Sequence, residues 1–151
     1  MPVGTCSAIV RHMSLTASSR SIAGTLRQDV LVDGRFHITT DEPVGIGGDD
    51  SAPAPHELLP ASLAACVSTT LLMYARTKGW ELGHVVVDVD YDHKSTPPRC
   101  EIAISIEAPL SAERLARLER VATTCPVRRA IEKGIDFRER FAPSGTFPQA
   151  A

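Results

Sequence analysis

The chain has 151 residues, 43% of them hydrophobic and 23% charged, and its formal net charge is −2 at pH 7. A chain of this size and balance can build a core without disulfide or metal staples, which excludes disorder as its main state. It lacks the excess of Lys and Arg expected of a nucleic-acid binder, and its first residues show no secretory signal. We therefore expect a cytoplasmic protein with no nucleic-acid partner.

The first third of the sequence predicts a β-hairpin followed by a long loop. Apolar and polar residues alternate on both sides of Asp33-Gly34, a dipeptide typical of tight hairpin turns. Residues 41–55 are rich in Pro, Gly and Asp and predict a loop, with unusual backbone angles at Gly47 and Gly48. These glycines are not expected to bind phosphate, because no Gly-Lys-Ser/Thr motif follows them and Asp49 and Asp50 would repel an anion.

Residues 57–78 predict one helix that ends at Gly79, with Pro60 either in its first turn or at a kink. The helix has no charged residue between Leu58 and Ala75, so a membrane span must be considered. Pro60 and several Ser and Thr residues argue against a span. We expect no membrane partner and a helix buried on all sides by the rest of the fold.

The second half predicts two strands and two helices. Residues 85–91 and 102–106 alternate as antiparallel strands with one solvated face. Ser111 is expected to cap a helix with one apolar stripe, formed by Leu115, Leu118, Val121, Ala122 and Cys125. Cys125 is expected to cap a short helix that begins at Pro126 and ends at Gly134. We expect a single domain over residues 1–142, followed by a flexible tail at residues 143–151.

The positions of Cys66 and Cys125 in the predicted helices affect how readily each thiol forms a reactive thiolate. Cys125 lies at a helix start, where free amides and the helix dipole favour a thiolate, with Arg128 and Arg129 just beyond it. Cys66 lies within the uncharged helix, where burial disfavours the thiolate unless tertiary structure supplies a cationic or hydrogen-bonding neighbour. Cys6 and Cys100 are expected to be incidental thiols.

The sequence gives no reason to expect a bound metal. The cysteines contain no CxxC pair, and no two histidines have ligand spacing. Surface or strand positions are expected for all five histidines, which are His12, His37, His56, His84 and His93.

Three segments resemble the OsmC/Ohr superfamily of organic hydroperoxide reductases, and the likeness extends from about residue 26 to residue 137. The first segment is DEPVGIGGDDSAPAPHELLPASLAAC, which leads to Cys66, and the second is LLMYARTKGWEL. The third is CPVRRAI, which begins at Cys125. Their order and the spacing of about sixty residues between the two cysteines make the likeness specific, whereas Cys-Pro-Val alone would be weak.

The resemblance implies an OsmC-like α+β fold, with antiparallel sheets packed around two main helices in an intertwined homodimer. It implies that Cys66 is the peroxidatic cysteine, that Cys125 resolves it as a disulfide, and that the substrate is an organic hydroperoxide. The implied reductant is a lipoylated protein or a small dithiol resembling dihydrolipoamide. No bound cofactor or metal is implied.

The family's arginine and glutamate, which support the first thiolate, match this chain imperfectly. The glutamate position, ten residues before the cysteine, holds His56, whereas Glu57 lies nine residues before Cys66. Arg27 is the nearest match for the arginine, with Arg20 and Arg35 as rivals. In chemical terms, Glu57 could orient an arginine and a protonated His56 could donate to a thiolate.

The sequence thus favours a thiol-dependent hydroperoxide reductase and leaves two alternatives open. One is a non-catalytic module that binds a hydrophobic small molecule in an apolar cleft. The other is a redox sensor in which the same disulfide forms without sustained turnover.

Overall fold

The computed structural model describes residues 15–141, which form two compact units, residues 15–54 and residues 55–141. The predictions for Cys6 and for the tail at residues 143–151 fall outside the described residues. The boundaries of the expected single domain stay a prediction.

The first unit is a three-stranded antiparallel sheet in the order β1-β2-β3. Its strands are β1 (Ala17–Ser21), β2 (Gln28–Val32) and β3 (Phe36–Thr40). Between β2 and β3, Asp33 and Gly34 have φ values of 51° and 66°, and Val32 pairs with Phe36. Two successive positive φ angles suit the right-handed twist of a hairpin, so the predicted hairpin is confirmed.

The loop after β3 is held by the carboxylate of Asp41, which is 1% exposed. Asp41 accepts hydrogen bonds from the backbone N–H groups of Glu42, Asp49 and Ser51 at 2.8, 3.2 and 3.1 Å. The hydroxyl of Ser51 donates a fourth bond of 2.7 Å. These bonds, led by that from the Ser51 hydroxyl, lower the pKa of Asp41. The loop is therefore fixed around one ionised side chain.

The two glycines singled out in this loop are constrained in different ways. Gly47 follows a 3₁₀ turn at Val44–Ile46 and has a φ of 98°, as predicted. Gly48 has no positive φ, so the prediction of an unusual angle there is wrong. Its constraint is steric, because a Cβ at this position would overlap the carbonyl of Glu42.

The second unit contains the long helix, the second pair of strands and two shorter helices. The long helix α1 (Leu58–Lys78) follows a 3₁₀ turn at Pro55–Glu57 and ends at Gly79, whose φ is 64°. Pro60 lies in the first turn of α1. The antiparallel strands are β4 (Val85–Asp92) and β5 (Arg99–Ile106), and the helices are α2 (Ala112–Ala122) and α3 (Pro126–Lys133). The predicted α+β class is confirmed.

One face of α1 forms the core of this unit. The buried apolar residues are Leu63, Val67, Leu71, Ala75, Leu82, Leu118, Ala122 and Cys125. The stretch Pro55–Lys78 is long and apolar enough to cross a membrane, with a mean hydropathy of 1.6, but its four core residues pack as in a core helix. The prediction that α1 is buried on all sides is wrong for this chain, because Leu72 and Met73 are 44% and 64% exposed.

The helix α2 begins as predicted but ends earlier. The hydroxyl of Ser111 accepts a 3.3 Å hydrogen bond from the backbone N–H of Arg114, which confirms the cap. The helix stops at Ala122 rather than reaching Cys125, since Pro126 disfavours helical angles in the residue before it. Of the predicted apolar stripe, Leu118, Ala122 and Cys125 are buried, whereas Leu115 is largely exposed.

Candidate active site

Cys66 and Cys125 lie side by side where the middle of α1 meets the start of α3. Cys66 is half-buried on α1, one residue before the core residue Val67. Cys125 is fully buried and occupies the N-cap position of α3, with Pro126 as the first helical residue. Cys66 packs against the core cluster that includes Cys125, and its side chain is close enough to raise the pKa of the Cys125 thiol. The structure therefore brings together the two thiols that the sequence singled out.

Burial raises the pKa of the Cys125 thiol above its ordinary value. The backbone amides of Arg128 and Val127 act in the opposite direction, and the hydrogen bond and charge interaction with Cys66 add to the rise. Each influence that raises this pKa favours the protonated form of the thiol. Cys125 is thus a neutral thiol at neutral pH.

The raised pKa of Cys125 is the opposite of what its position at a helix start predicted. The sequence suggested a stabilised thiolate there, but no side-chain hydrogen bond caps α3, and desolvation outweighs the favourable amides. Cys66 is the more accessible of the two sulfurs. The pair is therefore asymmetric, with one half-buried thiol and one buried, protonated thiol.

The turn before α1 places two of the predicted site residues next to each other. Glu57 is exposed and sits at the N-cap of α1 without a side-chain cap bond. The ring of His56 lies against the rings of Tyr91 and His93, with centroid separations of 5.4 and 4.9 Å. The sequence missed this ring cluster, because His56 and Tyr91 are 35 positions apart, and nothing local indicates that they meet.

Arg27 and its two rivals belong to the first unit, whereas both cysteines and Glu57 belong to the second. Arg35 is paired with Asp33 at 3.1 Å and lies over the ring of Phe36, and Arg20 is exposed on β1. Arg27 is half-buried, and its Nε is buried without a hydrogen-bond partner among the described residues. Of the three arginines, Arg27 is therefore the one with a buried guanidinium nitrogen that could donate a hydrogen bond to a further partner. Its role in the site stays a prediction.

Residues 15–141 contain no group of three or more His, Cys, Asp or Glu side chains arranged to hold a metal ion. The dithiol itself has two sulfurs and no third ligand of this kind beside it.

An apolar groove of about 440 Å³ runs between β5 and α2, within the size range of small-molecule sites. Its lining combines core residues with exposed ones: Leu71, Ile102, Ile104, Ile106, Ala108, Leu110, Leu115, Leu118 and Glu119. The sequence predicted the alternating strand but not a groove, because a groove depends on how the strand and helix are spaced.

The two neighbouring thiols both lie in a segment that matches a known protein family. The family profile of OsmC-like proteins matches residues 48–140, a segment that includes both cysteines. The chain belongs to the OsmC-like family. No curated protein matches it.

Solved structures with the same fold come from several bacteria. A Psychrobacter arcticus protein, described as an osmotic-stress-induced and detoxification-response protein, is 27% identical, with a TM-score of 0.64 over 76% of this chain and 86% of that one. An OsmC-like protein from Mycoplasma pneumoniae is 18% identical, with a TM-score of 0.65 over 80% and 89%. An organic hydroperoxide resistance protein from Legionella pneumophila is 21% identical, with a TM-score of 0.56 over 78% and 88%. These similarities confirm the OsmC-like fold.

Proposed function

We propose that this protein is a thiol-dependent peroxidase that reduces organic hydroperoxides, and hydrogen peroxide less efficiently. The observation that carries the proposal is the neighbouring pair of a half-buried Cys66 and a buried, protonated Cys125. Membership of the OsmC-like family supports it, as does the fold shared with proteins named for organic hydroperoxide resistance.

The reaction begins at Cys66, whose sulfur is the more accessible of the two. Its thiolate attacks the distal oxygen of the hydroperoxide ROOH, the O–O bond breaks, and the alkoxide leaves as the alcohol ROH after taking a proton. Cys66 becomes a sulfenic acid, so the sulfur is oxidised by two electrons and the peroxide is reduced. The proton that the alkoxide takes comes from water, so Cys125 keeps its own proton for the resolving step.

Cys125 then resolves the intermediate. Its sulfur attacks the sulfenic sulfur of Cys66, an S–S bond forms, and the hydroxyl leaves as water with the proton of the second thiol. An external dithiol, such as a dihydrolipoamide group, reduces this disulfide and is oxidised to its own disulfide. The cycle needs no bound metal or flavin.

Arg27 and Glu57 are the proposed positioning groups for the Cys66 thiolate. Arg27 presents a buried Nε without a hydrogen-bond partner among the described residues, and a guanidinium forms strong bonds with a thiolate or a carboxylate. Glu57 can hold such a guanidinium from the start of α1.

We also propose that the protein acts as a cytoplasmic homodimer. Leu72 and Met73 leave apolar area of α1 exposed in the single chain, although a helix this poor in charge is normally covered on most sides. A second copy of the chain would cover such a surface and bring two dithiols into one assembly.

Steady-state turnover tests the proposal. Purified protein is mixed with cumene hydroperoxide or hydrogen peroxide and with dithiothreitol or dihydrolipoamide, and peroxide loss is measured. We expect faster loss of the organic peroxide, no turnover by Cys66→Ser, and turnover by the matched control Cys100→Ser equal to that of the wild type.

Two results would replace the proposal with another function. A stoichiometric disulfide between Cys66 and Cys125 without sustained turnover would indicate a redox sensor. Neither disulfide nor turnover, together with retention of an apolar molecule in the groove beside β5, would indicate a binding module. That groove of about 440 Å³ is the observation that favours this second function.

A further inference from the structure

Four cationic side chains converge on one pocket at the far end of α1. This pocket has a volume of about 450 Å³ and lies between the end of α1 and the first turns of α2. Its cations come from both elements and are Lys78, Arg114, Arg117 and Arg120. Glu113 is the one carboxylate in the lining, so the lining has a formal charge of +3 in a chain whose net charge is −2.

Two aromatic rings hold three of these cations in place. The guanidinium of Arg114 lies 5.0 Å from the ring centre of Trp80, and that of Arg117 lies 5.7 Å from the ring centre of Tyr74. The ammonium of Lys78 also lies 5.7 Å from the ring centre of Tyr74. The two rings meet edge to face at 5.8 Å. Cation–π contacts of this kind orient a charge without neutralising it.

A hydrogen bond orders the centre of the pocket further. The Nε of Arg117 donates to the hydroxyl of Tyr74 at 2.8 Å, which leaves the terminal nitrogens of that guanidinium for another acceptor. Within residues 15–141, none of the four cations is paired with a carboxylate within 4.0 Å. The four cations are exposed, but three of them are held by ring contacts or this hydrogen bond, and a binding site benefits from positive groups fixed in advance.

We propose that this pocket binds a small phosphorylated molecule carrying at least two negative charges. Guanidinium groups recognise phosphate oxygens through paired hydrogen bonds, and the amino-terminal end of α2 adds a favourable dipole beside Ser111. The limited volume of the pocket and the net negative charge of the chain favour a compact anion over a polyanion that must track an extended surface.

The site is separate from the dithiol. Tyr74 lies eight residues beyond Cys66 on α1, which is about 12 Å along the helix axis. The proposal therefore does not rest on peroxidase activity, and either can fail without the other.

Binding of inorganic pyrophosphate to the full chain tests the proposal. Trp80 is the only tryptophan and contacts Arg114, so its fluorescence reports directly on the pocket, and calorimetry gives an independent affinity. We expect saturable binding at one site per chain that weakens at least ~10-fold in the variant Arg114→Gln/Arg117→Gln, through loss of two charge-assisted contacts. Arg120→Gln, which has no ring contact among the described residues, is expected to weaken binding ~3- to 10-fold without disturbing the aromatic pair.

The matched control is Arg138→Gln/Arg140→Gln, which removes the same charge far along the chain from the pocket residues. Binding by this control should equal that of the wild type at the same salt concentration. Absence of pyrophosphate binding would overturn the proposal, as would an equal loss in the control. Binding of heparin without pyrophosphate would also overturn it, and would indicate an extended polyanion instead.

Discussion

Cys125, buried at the start of α3, lies beside Cys66 of α1, and burial together with this neighbour raises the pKa of the Cys125 thiol. The two thiols therefore differ in exposure. Cys66 is the more accessible sulfur, as a nucleophile requires. Cys125 is shielded and protonated, as suits a thiol that reacts only after its neighbour has been oxidised.

The different burial of the two sulfurs predicts different alkylation rates. In a Cys6→Ser/Cys100→Ser background, iodoacetamide at pH 8 should modify Cys66 at least ~100-fold faster than Cys125, because a buried thiol reacts only when the structure opens. Peptide mass spectrometry over time measures both rates. In urea the two rates should converge. Equal rates in the native protein would contradict the burial of Cys125.

The raised pKa of Cys125 predicts a loss of stability in alkali. A thiol whose pKa is higher in the folded state stabilises the protein below its unfolded pKa of ~8.5, and this contribution is lost as pH rises through the folded value. The free energy of unfolding should therefore fall more steeply above pH ~8.5 in the wild type than in Cys125→Ala. Urea unfolding under reducing conditions between pH 7 and 10.5 measures this difference. Parallel pH profiles would contradict it.

Gly48 is expected to be intolerant of a side chain. In Gly48→Ala the new methyl would overlap the Glu42 carbonyl, so the backbone of the loop must shift, at a loss of ~1–3 kcal/mol in stability. Gly45→Ala is the matched control, since a Cβ there meets nothing within 4 Å and its φ is not positive. Thermal unfolding of both variants checks the prediction, and equal midpoints would show that the close approach at Gly48 is unimportant.

Ionised Asp41 is expected to stabilise the loop between β3 and α1 at neutral pH. Asp41→Asn replaces the carboxylate, which accepts four hydrogen bonds in this loop, with an amide whose NH₂ group cannot accept them. The substitution should lower the unfolding temperature at pH 7 by roughly 3–8 °C. Because the folded pKa is lowered, this stabilisation is present above pH ~4 and is lost as pH falls through the folded value. Differential scanning calorimetry between pH 2 and 7 should show the gap to the wild type closing in acid. Asp50→Asn, with the same charge change in the same loop, should show little effect at any pH.

Local signals in the sequence were sufficient for most of the element boundaries. Asp33-Gly34 predicted the hairpin turn, Ser111 the start of α2, and Gly79 the end of α1, because each acts on backbone groups within a few residues. The strand β1 was not predicted, since all five of its residues are exposed and show no apolar alternation. Its place in the sheet depends on pairing with β2.

The candidate site was predictable only in part, for a physical reason. The sequence predicts Cys66 within one helix and Cys125 at the start of another, but their proximity depends on the packing of α1 against α3. The burial that sets the protonation of Cys125 depends on the same packing. The basic pocket was missed for a similar reason, because Lys78 and Arg114 come from different helices and meet only in the folded chain.

The most direct test of the account is the product of a single oxidation. Fully reduced protein is treated with one equivalent of cumene hydroperoxide, quenched with an alkylating agent and mapped by mass spectrometry, and Cys125→Ser is treated in parallel with dimedone present. The account predicts a disulfide between Cys66 and Cys125 in the wild type and a dimedone adduct on Cys66 in the variant. Oxidation that leaves Cys66 reduced, or a disulfide that joins Cys66 to Cys100 instead, would contradict it.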